Sequence, residues 1–271
     1  MFATTGPGVS IVAEPILHIG AFTITNSQFL GLLGTVIALS LLFYTGWRVR
    51  QGRPTRLSTA IFWLFEILLD TVEEVLGDRA KARKLAPLAI TIFFVVMLNN
   101  WIGILPFVGP LTYNGLPLFR GLAADLNFTA ALAVITMVTA QIWAIRNYGL
   151  RGNIGRYLKN PLLKPMDAFE GILELVAEFS RLLALAMRLF GNVFGGEVLL
   201  LVMSYITSYA SPVVVPVFML FELFVGAIQA YVFFMLTVVF VSLGTGPLHG
   251  THAEEAEAAS EDGPGKVPAT V

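Results

Sequence analysis

The chain has 271 residues, 56% of them hydrophobic and 13% charged, with a net charge of -1 at neutral pH. Mean hydropathy is +0.77, and the apolar residues run in long blocks, so the composition describes an integral membrane protein. Basic residues only punctuate those blocks, which argues against a nucleic-acid partner, and the lack of cysteine removes disulfides and thiolate metal sites.

Residues 1–25 lack the basic start of a cleavable signal and are expected as an N-terminal segment outside the membrane. The first span is expected over Phe29–Trp47. The next apolar stretch, Leu57–Leu76, carries Glu66, Asp70, Glu73 and Glu74 within about 100° on a helical wheel. Both its flanks are basic, so it is expected as an amphipathic interfacial helix rather than a crossing. Further spans follow over Leu85–Phe107, Phe128–Ile145, Asp167–Thr207 and Val213–Leu248, and residues 249–271 form an acidic tail expected to be disordered.

The expected fold is therefore all-α, with five membrane helices and one interfacial helix. Arg48, Arg50, Arg53 and Arg56 follow the first span, Arg79, Lys81, Arg83 and Lys84 precede the second, and Arg146, Arg151, Arg156, Lys159 and Lys164 follow the third. In the opposite loops Arg120 stands alone. The positive-inside rule places the N-terminus outside and the tail in the cytoplasm. The fourth span is free of proline between Met166 and Ala210, and about 40 residues of helix measure about 60 Å against a hydrocarbon core of about 30 Å. It must tilt, protrude or bend, most cheaply at Gly191, Gly195 or Gly196. With Pro212 and Pro216 marking the turn, the last two helices are expected as a long, strongly inclined antiparallel hairpin.

Arg188 lies inside the apolar run Leu182–Phe190 of that fourth span. An arginine at the centre of a membrane helix costs about 2.5 to 3.5 kcal/mol on insertion scales, and its guanidinium does not escape by deprotonating. Taking Arg188 as 0°, Arg181 falls at about 20°, Glu174 and Asn192 at about 40°, Glu178 at about 80° and Glu197 at about 180°. On the last helix Glu222, Gly226 and Gln229 share a face. Gly191 and Gly195 form a small-xxx-small pair suited to the close approach of another helix. The pattern suggests two half-paths separated by a fixed cation, one outward past Glu197 and Glu222, the other inward past Glu174 and Glu178.

Structural readings stand beside these. Glu174, Glu178 and Arg181 also fit helix-end snorkelling or an i, i+3 ion pair. Gln229 also fits interhelical hydrogen bonding, Glu197 and Glu222 a purely structural pair, and Arg188 a buried salt bridge. Asn99, Asn100, Asp125, Asn127 and Gln141 read as helix contacts. At the level of function, a stand-alone secondary transporter or anion-binding channel competes with the ion path, although no internal repeat or pair of broken helices is visible. An anchor for other subunits is a third reading. No phosphate loop, metal cluster or nucleophile with its base is present in the sequence, so no cofactor, metal or soluble catalytic site is expected.

The run Met187-Arg188-Leu189-Phe190-Gly191-Asn192-Val193-Phe194-Gly195-Gly196-Glu197 resembles the arginine motif of subunit a of F-type ATP synthases. Leu85-Ala86-Pro87-Leu88, Asn100-Trp101 through Leu105-Pro106, Ala124-Asp125-Leu126-Asn127 and Gly226-Ala227-Ile228-Gln229-Ala230 resemble the same family in the same order, over about residues 20 to 245. The resemblance implies a non-catalytic stator subunit of a bacterial-type cell membrane. Its partners would be a c-ring of small proteolipids bearing membrane carboxylates and a peripheral stalk subunit b. It implies that Arg188 faces the ring, that Glu197, Glu222, Asn192 and Gln229 form an outer polar network, and that Glu174 lies on the inner exit. Many family members place a histidine in the outer pair. Here both positions are glutamates, and His18, His249 and His252 lie outside the spans, so the outer relay is expected to use carboxylates and water. Whether the ring takes protons or sodium is decided by the ring site.

Overall fold

The computed structural model describes residues 15–19, 22–105, 108, 112–113, 116–117, 119–157 and 165–245. Most of the N-terminal segment, Lys159 and Lys164, the end of the second expected span at Pro106 and Phe107, and the acidic tail with His249 and His252 lie outside the described residues. The described elements are six long helices: α1 (Asn26–Arg50), α2 (Arg56–Leu76), α3 (Arg79–Gly103), α4 (Leu126–Tyr157), α5 (Pro165–Thr207) and α6 (Ser211–Thr245). Two short antiparallel strand pairs accompany them, β1 (Pro15–Ile19) with β2 (Phe22–Thr25) before α1 and β3 (Thr112–Tyr113) with β4 (Leu116–Pro117) between α3 and α4. These hairpins qualify the all-α expectation. Strands this short are invisible to a search for long apolar runs.

Capping chemistry sets the helix ends. Thr25 accepts from the Gln28 N–H while the Gln28 side chain accepts from the Thr25 N–H, and Thr55 and Ser58 repeat the reciprocal arrangement at α2. Gly77, at φ 64°, closes α2 in the left-handed region and donates to Glu73 O. Asp78 then accepts from Ala80 and Lys81 to start α3, so the basic run Arg79–Lys84 belongs to the helix and not to a loop. α4 continues past Ile145, with a kink at Gly149 (φ 74°, ψ 164°).

Four stretches among the described residues are long and apolar enough to cross a membrane: Asn26–Arg50, Arg79–Gly103, Leu126–Asn153 and Phe169–Gly244. The last covers 76 residues and holds α5, α6 and the turn between them. The chain is a helical, multi-pass membrane protein. α2 is not among these stretches: Glu66, Asp70 and Glu74 are exposed, Glu73 pairs with Arg79 at 3.3 Å, and Leu68 and Val72 are buried on the other side.

The core centres on α3, 61% of whose apolar window is buried against 28% for α1. Its Ile90, Phe93, Phe94 and Met97 join Ala230, Phe233, Phe234 and Val238 of α6 in one cluster. Phe93 meets Phe94 edge-on at 5.3 Å and Phe234 at 6.2 Å. Lipid is as apolar as these side chains, so close packing rather than water exclusion holds the helices together. Phe94→Ala should therefore open a cavity costing about 3 to 5 kcal/mol, read as a lower thermal midpoint of the detergent-solubilised protein.

Small residues permit the closest approaches. Gly31 faces Leu122, Gly34 faces Asn99, and a Cβ on Gly244 would stand 3.1 Å from Ala140 O. Between α5 and α6 the contacts step in opposite directions: Ser204 with Ser211 at 3.3 Å, then Gly196 with Glu222, then Arg181 over the Phe240 ring at 5.9 Å. α5 is helical through Gly191, Gly195 and Gly196.

Candidate functional site

Arg188 projects from the exposed side of α5, while its neighbours Leu185, Ala186 and Leu189 are buried in the core. It forms no hydrogen bond or ion pair among the described residues. Ala184, Gly191 and Gly195 lie within about 60° of it on the helix and are exposed. Nothing stands within 4 Å of a Cβ placed on Gly191 or Gly195. The small-xxx-small pair thus meets no helix among the described residues; it forms an open notch beside the guanidinium. The buried salt bridge envisaged for Arg188 is absent among the described residues. Gly226 differs, since its Cβ would stand 3.3 Å from Asn100 Cβ, which brings α6 onto α3.

Toward the start of α5, Gln141 of α4 donates to the Glu178 carboxylate at 2.6 Å, and Asn153 donates to Gln141 Oε1 at 3.0 Å. Gln141, Glu178, Arg181, Phe240 and Gly244 line one small cleft where α4, α5 and α6 meet. Arg181 lies over the Phe240 ring. Glu174, one turn before Glu178, is partly buried. From sequence, Gln141 reads only as a helix contact and Asn153 carries no signal.

The surroundings of Glu197, nearer the end of α5, are more heavily built. Glu197 Oε2 lies 3.4 Å from Arg120 Nε, and Glu197 Oε1 accepts from the Gly121 N–H at 3.1 Å. Arg120, expected to stand alone in an outer loop, is 8% exposed and lies 5.9 Å over the Phe194 ring. The reason is tertiary. Phe119 stacks on Phe29 at 6.1 Å, and Asp125 accepts from Ser27 Oγ at 3.0 Å and from the Asn127 N–H at 2.9 Å. The segment is thereby folded back onto α1, and no local pattern announces this. Glu197 thus has a cation beside it, where the sequence pointed to carboxylates and water alone.

Glu222 and Gln229 are buried on one face of α6. The Glu222 carboxyl lies against Gly196, the residue that precedes Glu197. Asn100 Nδ2 donates to Gly226 O at 3.4 Å, and Trp101 Nε1 to Leu223 O at 3.1 Å. Four buried polar atoms here have no protein partner among the described residues: Arg120 Nη2, Asn100 Oδ1, Asn192 Nδ2 and Gln229 Nε2. Each such atom costs about 1 to 3 kcal/mol unless water meets it, so these positions on α3, α5, α6 and the Arg120 segment suit hydration. Among the described residues no group of three His, Cys, Asp or Glu side chains is placed to hold a metal.

A family model described as ATP synthase A chain matches residues 29–242. ATP synthase subunit a of Acidothermus cellulolyticus is 31% identical to this chain, over 92% of the chain and 93% of the relative. The subunit a of Mycobacterium ulcerans is 33% identical over 80% and 86%, and that of Enterococcus hirae 30% identical over 83% and 94%.

Proposed function

Because the chain belongs to the family of ATP synthase subunit a, the non-catalytic proton-channel subunit in the membrane sector of F-type ATP synthase, we propose that Arg188 faces the c-ring and separates two offset half-channels. The outer one passes Glu197 and Glu222, with Asn192 and Gln229 in its polar network. The inner one passes Glu174, Glu178 and Arg181 to the cytoplasm. The single observation that carries this reading is the exposure of Arg188, unpaired among the described residues, beside the notch of Ala184, Gly191 and Gly195. A charge left unsatisfied in a membrane helix needs a partner from outside the chain, and the missing side chains let that partner come near.

In this arrangement α1, α3, α4, α5 and α6 cross the bilayer, α2 lies at the interface, and the N-terminus is outside. α5 and α6 form an inclined hairpin along the ring, and subunit b of the peripheral stalk holds the chain against rotation. A ring carboxylate beside the guanidinium is favoured as the anion, so a proton carried round by the ring is released to the inner path before the site passes. The anion then takes a proton from the outer path before re-entering lipid. Each charge crossing 100 mV supplies about 2.3 kcal/mol, so leakage between the paths would uncouple the motor. Arginine, which does not relay protons here, prevents it.

Cross-linking tests the ring-facing assignment on a clean background, since the chain has no cysteine. Gly195→Cys should form a disulfide with a cysteine placed beside the ring carboxylate, whereas Phe43→Cys, 79% exposed on α1, should not. The reverse pattern would remove Arg188 from the ring interface.

A further inference from the structure

Arg120 is 8% exposed, touches an outer acid and belongs to neither path as read from the sequence. Resting on the ion-path reading, we infer that Arg120 is a positioning residue that divides the work of the outer acids: it fixes Glu197 in place and leaves Glu222 to carry the moving proton. The two glutamates are held very differently. Both oxygens of Glu197 are engaged, one by Arg120 Nε at 3.4 Å and the other by the Gly121 N–H at 3.1 Å, so its carboxyl cannot swing without giving up two contacts. Glu222 is 7% exposed, has no hydrogen bond among the described residues, and ends against the bare backbone of Gly196.

The support for Arg120 is specific. A Cβ on Gly103 would stand 3.1 Å from Gly121 Cα, and this glycine-on-glycine contact sets the Gly121 N–H within reach of Glu197. The Phe194 ring lies under the guanidinium. Glu222 ends on Gly196, the chain neighbour of Glu197; carboxylates that share a site resist being ionised together, and Arg120 is the one cation among the described residues in contact with either. The other polar groups around them, Asn100, Asn192 and Gln229, are neutral, and Arg188 projects from the opposite face of α5. Arg120 Nη2 is buried without a partner among the described residues, as are the amide nitrogens of Asn192 and Gln229. In the resulting sequence a proton from outer water neutralises the Glu222 carboxylate. Glu222 then passes that proton through water to an ionised ring carboxylate and becomes a carboxylate again. Glu197 gains and loses nothing.

The test uses the whole ATP synthase in inverted membrane vesicles, with ATP-driven proton pumping followed by a pH-sensitive dye and assembly followed by subunit content. Arg120→Gln should lower pumping by about tenfold, because Glu197, released from its cation, then competes with Glu222 for the moving proton, with assembly retained. Arg120→Lys, which keeps the charge but loses Nε, should lose only about two- to threefold. Glu197→Gln should keep partial pumping while Glu222→Gln falls to background, and adding Arg120→Gln to Glu197→Gln should cause no further loss. Wild-type pumping by Arg120→Gln overturns the inference. So does an equal loss from Arg120→Gln with or without Glu197, because Arg120 then acts elsewhere, and so does background pumping by Glu197→Gln. Should Arg120→Gln fail to assemble, the same cycle is run with Arg120→Lys: a deficit that vanishes in Glu197→Gln supports the inference, and one that persists, or none at all, overturns it. Arg188→Ala serves as the separate control, since coupled pumping by that variant would sink the ion-path reading itself.

Discussion

Replacing Arg188 with alanine is expected to reduce ATP-driven proton pumping and ATP synthesis to background, a loss of about a hundredfold or more, while the subunit still assembles. The two halves of this expectation come from the same geometry. Arg188 is exposed and makes no hydrogen bond or ion pair among the described residues, so its removal breaks no polar contact among them, and substitutions of that kind stay within about 0.5 kcal/mol. The functional term is much larger. A unit charge about 4 Å from a ring carboxylate, at the effective dielectric of a partly hydrated protein surface, is worth about 4 kcal/mol. That is about a thousandfold in the carboxylate's ionisation. In the proposed arrangement, loss of that charge leaves the ring acid protonated past the point of release, and a proton has no reason to leave by the inner path. Arg188→Lys should recover little, because an ammonium in an apolar setting sheds its proton more readily than a guanidinium and offers a relay between the paths. Pumping in inverted vesicles and passive proton leak after removal of the soluble sector measure both effects. Coupled pumping by Arg188→Ala at a substantial fraction of the normal rate would remove the residue from the mechanism.

The residues differ in how far the sequence alone reveals them, and the difference follows the range of the signal. Arg188 is conspicuous because its surroundings within one turn are apolar, and the helical wheel separates it from Glu197 without any tertiary information. In the structure Arg188 is exposed, and Glu197 reaches inward to Arg120. Glu222 and Gln229, seven residues apart, share a face by periodicity alone, and both are buried. Arg120 carried no such signal. It lies in a segment without helical period, and its partner is far away in the chain. Gln141 and Asn153 likewise meet Glu178 only through the crossing of α4 and α5. The small residues show the limit most plainly. Gly191 and Gly195 have the spacing of a helix contact yet open outward, whereas Gly31 and Gly34 are the ones that bring α1 against Leu122 and Asn99. Spacing identifies a face that permits close approach, but which face is filled depends on the packing of all the helices.

Gly196→Ala is expected to lower pumping by about tenfold to a hundredfold with little change in abundance. A methyl group at this position would collide with the Glu222 carboxyl, whose Oε2 would stand 2.7 Å away and whose other atoms are nearer still. Yet the obstacle is the end of a flexible side chain, which can turn aside, and alanine is favoured over glycine within a helix by about 1 kcal/mol. The strain and the helical gain are of similar size, so the fold should tolerate the change. The relay should not, because the carboxyl is displaced by about the 1 Å that is enough to cost a hundredfold in a proton or group transfer that depends on alignment. Glu222→Asp in the Gly196→Ala background shortens the side chain by one methylene and withdraws the carboxyl from the added methyl, so it should restore part of the activity although Glu222→Asp alone impairs it. That sign reversal separates a positional effect from simple loss of packing between α5 and α6, for which the second substitution would only add a cavity. Pumping by Gly196→Ala at the normal rate would mean that the Glu222 carboxyl has no fixed place in the path, and an unrelieved loss in the double variant would mean that Gly196 serves the helix contact alone.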